Sequence, residues 1–299
     1  MMAGETISVI GATGLIGRPV TRQLVRDGYR VRVLVRDPSE ARRLLGVDAD
    51  YLKGDVEDEI SVERAVRGCR GVMIVLAARR RQDLDRIEHR GTAAVAKAAA
   101  AAGVGRLGYV SGSLVNEEYG EKIPEHRAKL GAEAAICASG VPFVLFRPSY
   151  FMDNLPRHIQ GGAAVVLGRP QPLHMVAASD FAHMVSRAFQ VSEAANGELY
   201  IQGPEAWSIG DALRLYCSLV QPGKRVVKVP LGVMRVVDGL FMGGRLRGSL
   251  ELMGLLQRVG ERGDPSEANR LLGAPTTTLR EWCLRQAPAM SSPGKEPST

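Results

Sequence analysis

Cysteine is scarce in this 299-residue chain, with only Cys69, Cys137, Cys217 and Cys283. They lie too far apart for CxxC or zinc-ligand spacing, so neither a metal centre nor a disulfide scaffold is expected. Free thiols in a reducing cytoplasm are the expectation, since the first strand-like segment follows the N-terminus with no basic and then apolar targeting stretch. Aromatic residues make up 5% of the chain. With no finger or helix-turn-helix spacing either, nucleic-acid binding is not expected. No stretch of about 18 apolar residues is free of charge, so no membrane span is expected. An uncharged run, residues 134–146, is broken by Ser139-Gly140 and Pro142. Lysine is also scarce: 32 of the 39 basic residues are arginine and 7 are lysine. The net charge of +7 divides into +4 before residue 150 and +3 after it, so no basic lobe stands out and the excess mostly reports composition.

What is present is an ordinary globular balance, 45% apolar and 24% charged. Short β-rich runs alternate with helical stretches through the first half. Ile7–Ile10 precedes a helical pattern from Leu15 that stops at Gly28; Val31–Val35 precedes a charged helix after Pro38. Further strands are expected at Tyr51-Leu52, 72–76, 107–110, 143–146 and 198–201. Helices are expected over about 82–103, after Pro124, and over 179–191. This alternation predicts an α/β fold, a Rossmann-type doubly wound parallel sheet. The expected division is a Rossmann-type domain of residues 5–157 plus 178–203, a smaller, mostly helical substrate or lid lobe of 158–177 plus 204–286, and a disordered tail of 287–299. Apolar residues from Val226 to Val259, interrupted around Gly243-Gly244, predict two short helices.

Between the first strand and first helix stands Gly11-Ala12-Thr13-Gly14-Leu15-Ile16-Gly17. A dinucleotide pyrophosphate needs backbone N–H groups at a helix N-terminus, an unobstructed turn and a small residue where helix crosses strand, and the three glycines supply these. The bland alternative is an ordinary tight turn. At the end of the second strand, where an acidic residue would accept the ribose hydroxyls of NAD, stands Arg36. Its guanidinium suits the 2′-phosphate of NADP, so NADP(H) is favoured over NAD(H). Asp37 next door keeps NAD open, and Arg36 could be simply solvated. Asp55 and Val56 after the third strand are placed for the adenine; Asp55 could equally be a turn or cap residue.

The segments ISVIGATGLIG, RVRVLVRDPSEA, LKGDVED, RLGYVSG and AKLGAEAAICASGVPFVLFRPSYFMDN resemble, in that order, the atypical short-chain dehydrogenases/reductases, especially the NmrA-like NAD(P)-binding group. The resemblance covers most of the chain. It implies reductases, redox-sensing regulators or assembly subunits, and fold alone does not choose among them. Ordinary members of the superfamily protonate a carbonyl with a Tyr four residues before a Lys. Here the candidate is Lys129 and Glu125 stands where the Tyr should be. Lys129 is thus expected to order the cofactor, and to move a proton itself if burial lowers its pKa; pairing with Glu133 one turn on is the structural alternative.

Catalytic candidates are Lys129, Ser111 and Tyr150. Cofactor contacts are expected from Gly11, Thr13, Gly14, Leu15, Ile16, Gly17, Arg36, Asp55, Val56, Ala77, Ala78, Ser111, Lys129, Pro148, Ser149, Tyr150 and Phe151. Ser113, Met152 and Asn154 would line an apolar substrate pocket, although aromatics and Met after a strand are more often plain core. Arg79-Arg80-Arg81 reads as a solvated face or as steering for phosphates. The expected function is an NADPH-dependent reductase of a small hydrophobic carbonyl, quinone or conjugated double bond. The alternative is a non-catalytic NADPH-binding sensor or accessory subunit, docking on a membrane surface or protein through residues 226–259.

Overall fold

The computed structural model describes residues 4–78, 80–120, 123–244 and 246–287. Arg79 of the arginine run and residues 288–299 of the expected tail lie outside the described residues.

The first half is built from β1 (Thr6–Ile10), α1 (Gly17–Arg26), β2 (Arg30–Val35), α2 (Pro38–Leu45), β3 (Asp50–Lys53), α3 (Glu59–Val66), β4 (Gly71–Ile74), α4 (Gly91–Ala101), β5 (Arg106–Val110), α5 (Glu117–Gly120), α6 (Pro124–Ala138) and β6 (Phe143–Pro148). After these come β7 (Ile159–Gln160), β8 (Ala163–Leu167), β9 (Leu173–His174), α7 (Ala178–Ala188), β10 (Gly197–Ile201), β11 (Ala206–Trp207), α8 (Ile209–Val220) and β12 (Arg225–Val229). The chain closes with α9 (Leu231–Phe241), α10 (Arg247–Val259), α11 (Ser266–Leu272) and α12 (Leu279–Gln286).

Seven strands pair in parallel in the order β3-β2-β1-β4-β5-β6-β10. The order reverses beside β1, where the chain crosses from β3 to β4, and a crevice opens at such a switch point above the carboxyl ends of the strands. Because helices cover both faces, β1 from Ile7 to Ile10 and all of β4 are buried and show no solvent face. Val20 and Leu24 of α1 pack with Phe181 and Val185 of α7 on one face. On the other, Val62 of α3, Val95 of α4 and Ile136 of α6 form a second core.

The C-terminal elements build a third core from Leu213, Tyr216, Leu256 and Trp282 around the small sheet β7-β8-β12. Although α11 falls in the same stretch of sequence, its Ala268 and Leu271 pack with the first core.

Three local expectations differ. The long Ala-rich helix is divided, with a π-helical segment, Leu84–Arg90, before α4. That wider turn brings Glu88 inward, where it is buried. The first residues of the 226–259 stretch form β12, paired in parallel with β8, before the two expected helices begin. The short α3, capped by Asp58, stands in a stretch where no helix was expected.

Candidate functional site

The turn after β1 is shaped by contacts that only hydrogen tolerates. Gly11 has φ +92°, and a Cβ there would lie 2.4 Å from the Val75 carbonyl oxygen; one on Gly17 would lie 2.1 Å from the Gly11 carbonyl oxygen. The Gly14 N–H donates to Gly11 O at 3.1 Å and closes the turn. Ile16 caps α1 without any side-chain acceptor, and the first turn holds no acidic residue. Within the opening turn of this ten-residue helix Arg18 N–H donates to Gly14 O at 3.1 Å and Pro19 has no N–H, so it is the Gly17 N–H, at the positive end of the dipole, that is left for an anion.

A cleft of about 520 Å³ opens above this turn. Its walls include Gly11, Thr13, Gly14, Arg36, Asp55, Val56, Ala77 and Ala78. Eight positions from four separate loops are thus brought together; Leu15 and Ile16 are half-buried beside it and Gly17 is buried below. Arg36 is exposed on its rim. Asp37, in contrast, accepts from the N–H groups of Ser39 and Glu40 at 2.9 and 3.0 Å, so its carboxylate is occupied capping α2. Asp55 accepts from Glu57 N–H at 3.2 Å and still faces the cleft, so the turn and lining readings coexist. Arg80 and Arg86 also reach the cleft; Arg86 is held by Glu57 and Asp83.

Lys129, in the second turn of α6, donates to the Val110 carbonyl at 3.1 Å at the end of β5 and pairs with Glu88 at 3.6 Å. Glu88 also accepts from the Ala78 N–H at 2.9 Å, so one buried carboxylate ties the lysine to the cleft wall. Burial pulls the Lys129 pKa down, but the Tyr109 ring beneath it, Glu88 and Glu133 outweigh this and hold it above its ordinary value. The sequence expectation of a lysine poised by a lowered pKa is therefore corrected: the cavity around it is acidic, and Lys129 stays an ammonium. Its expected partner is also different, because Glu133 is bound elsewhere. Arg147 donates to Glu133 at 2.9 Å and to Glu198 at 2.8 Å, and the Ser111 hydroxyl donates to the other Glu133 oxygen. As a donor, Ser111 is thus committed inside the fold. His126, one turn before Lys129, is buried; desolvation, with the lysine charge nearby, pushes its imidazole down to about 4.

The segment after β6 turns away from the cleft by degrees. Pro148 accepts from Ser113 N–H at 3.2 Å and Ser149 donates to Ile201 O at 2.8 Å. The Tyr150 hydroxyl meets His158 Nε2 at 2.7 Å, while His158 Nδ1 meets the Val165 carbonyl at 2.9 Å. Since a carbonyl accepts only, Nδ1 carries the proton, Nε2 accepts, and the tyrosine proton points to His158. Phe151 packs edge-on to Phe181 at 5.3 Å, and Met152 is buried in the C-terminal core. Asn154 accepts from Arg157 at 3.3 Å. The sequence reading did not single out Glu88, Arg147, Glu198 or His158. Their only sequence signal is a charged or polar residue at a position that the helix or strand period turns inward.

Among the described residues no helix is long and apolar enough to cross a membrane. A family model described as NAD(P)H-binding matches residues 11–191. The (4-alkanoyl-5-oxo-2,5-dihydrofuran-3-yl)methyl phosphate reductase of Streptomyces griseus is 34% identical over 205 residues, 67% of this chain and 68% of its own. The photosystem II assembly factor Ycf39 of Trieres chinensis is 27% identical over 244 residues, 79% of this chain and 76% of its own. In fold, the chain is similar to an NADPH-dependent quinone oxidoreductase of Escherichia coli, with a TM-score of 0.71 at 21% identity over 93% of this chain and 98% of that one. It is likewise similar to the Citrobacter triphenylmethane reductase solved with NADP(H), with a TM-score of 0.70 at 20% identity over 94% and 99%. The matched residues begin at the glycine turn after β1 and run from α1 through α7, more than half of the chain, so this chain belongs to the NAD(P)H-binding family.

Proposed function

We propose that this protein is an NADPH-dependent reductase of a small, largely apolar acceptor. The observation that carries the cofactor choice is the division of labour at the end of β2: Asp37 is spent on the cap of α2, and Arg36 alone presents charge to the cleft at the ribose position. A guanidinium there matches a 2′-phosphate bidentately, whereas NAD would leave it without a partner. The turn Gly11–Gly17 and the open N-terminus of α1 would hold the pyrophosphate, and Asp55 with Val56 would border the adenine. When bound, NADPH supplies a hydride.

In this reading Lys129 is a fixed cation, anchored by Val110 O and Glu88, with its remaining N–H toward the ribose hydroxyls and the acceptor oxygen. It stabilises negative charge as that charge develops, and water supplies the proton. Similar proteins named as a quinone oxidoreductase, a triphenylmethane reductase and an alkanoyl-oxo-dihydrofuranyl methyl phosphate reductase support this class of acceptor.

A second reading, an NADPH-binding assembly or sensor protein, is favoured by one specific observation. Ser111 and Tyr150 each donate their proton within the fold, to Glu133 and His158, and Ycf39-type relatives are named as assembly factors. One titration series separates the two. The wild type is expected to bind NADPH at least about tenfold more tightly than NADH, and Arg36→Ala to erase that difference. The wild type is also expected to oxidise NADPH with a quinone or enone, with no loss of rate at the pH where an ordinary lysine deprotonates, because the Lys129 pKa is raised. Equal affinities overturn the Arg36 assignment; binding with no turnover across a broad acceptor panel hands the function to the second reading.

A further inference from the structure

A second cavity, of about 430 Å³, lies between the start of α6 and the α9–α10 hairpin, and no role has been given to it so far. Its walls carry three arginines, Arg235, Arg247 and Arg258, against the single Glu251, a net charge of +2; Tyr119, Ile123 and Leu255 supply the apolar wall. The hairpin is held by the buried Asp238, which accepts from the Leu246 N–H at 2.9 Å, and by Gly243 and Gly244 at positive φ. This geometry brings two arginines from different helices over one glycine. Arg235 Nη2 and Arg258 Nη1 each lie 3.5 Å from the point a Cβ on Gly254 would occupy, so the two cations can be no farther apart than twice that distance. Glu251 is engaged by Arg247 at 3.1 Å. Among the described residues neither Arg235 nor Arg258 has a carboxylate within ion-pair distance. Both side chains are exposed, so solvent screens their mutual repulsion, and an anion placed between them would be attracted by both.

We propose that this cavity binds a phosphate monoester of a compact apolar molecule, with the phosphate on Arg235 and Arg258 and the organic body against Tyr119, Ile123 and Leu255. The net +2 matches a phosphate dianion better than a carboxylate, and the planar arginine fork suits its oxygens. Ile123 stands immediately before α6, and Lys129 lies about 9 Å further along the same helix at 1.5 Å per residue. That this ligand is the substrate rests on the reductase reading; that it binds does not.

The test is calorimetric titration of the full chain with hexyl phosphate, with hexanol and inorganic phosphate as the two halves of the ligand. Hexyl phosphate is expected to bind more tightly than either half, and Arg235→Gln/Arg258→Gln to weaken it by about 30-fold or more while NADPH affinity stays unchanged. The unchanged NADPH affinity shows that the variant is folded. Hexyl phosphate binding no better than hexanol, or equally well to the double variant, overturns the proposal. So does sedimentation with phosphatidate vesicles in a protein that does not bind hexyl phosphate, which would assign the arginines to a lipid surface. If hexyl phosphate binds as expected while no acceptor is reduced, the site stands and the reductase reading falls.

Discussion

The cleft above β1 and the cavity under α9 and α10 are similar in size, about 520 and 430 Å³, and both expose arginine. They are built by opposite means. In the first, backbone does the shaping: Gly11, Gly14 and Gly17 bring main chain against main chain, and the helix amides follow from that packing. In the second, side chains from Tyr119 to Arg258 meet only because a hairpin folds back, and its specificity lies in where guanidinium groups come to rest. A backbone site of this kind is written in a few consecutive residues, whereas a side-chain site is scattered over the whole length of the chain.

The contrast can be tested from its strongest element downward. Arg147→Leu removes the buried cation that satisfies Glu133 between β6 and α6. It is expected to lower unfolding free energy by about 3–5 kcal/mol, because Glu133 is left buried and charged; denaturant titration measures it, and a loss below about 1 kcal/mol would show the network to be dispensable. His126 gives the next effect. Its folded pKa of about 4 lies below the ordinary 6.5, so the folded state resists protonation while the unfolded state accepts it. Stability is therefore full above about pH 6.5 and is lost as pH falls toward 4, by about 3 kcal/mol at most. His126→Gln is expected to flatten that window in unfolding curves recorded from pH 7 to 4.

Gly11→Ala sets a methyl against the Val75 carbonyl at a φ that alanine avoids. NADPH affinity is expected to fall about 100-fold, read by fluorescence titration, with hexyl phosphate affinity unchanged; parallel losses would mean that the two sites are not built independently. The smallest effect belongs to the C-terminal hairpin. Leu240 and Phe241 are 72% and 81% exposed. Leu240→Ser is expected to change stability by less than about 0.5 kcal/mol, and a larger loss in a thermal scan would show that this face is covered in solution.

Much of the first cleft was legible in advance because its requirements are local. GATGLIG between a strand and an amphipathic helix admits few structures, and Arg36 is placed by the length of the second strand alone. The surroundings of Lys129 were not legible. Whether burial lowers or raises its pKa depends on Glu88, which the π-helical segment turns inward forty-one positions away in sequence. Ser111 and Tyr150 were catalytic candidates in sequence, and only packing supplied Glu133 and His158 to take their protons. Phe151 and Met152 had two readings, and their packing favours the plain one.

Sequence by itself determined the doubly wound sheet, the glycine turn and the family, because hydrophobic period and glycine placement are properties of neighbouring residues. Tertiary structure alone decided which charges are spent and which remain available. Asp37 is consumed by a helix cap, Glu133 by Arg147 and Ser111, and Glu88 by Lys129, while Arg36, Arg235 and Arg258 still face open space. The physical reason is distance: an ion pair or hydrogen bond exists only within a few ångströms, and the chain order does not say which charges will come that close.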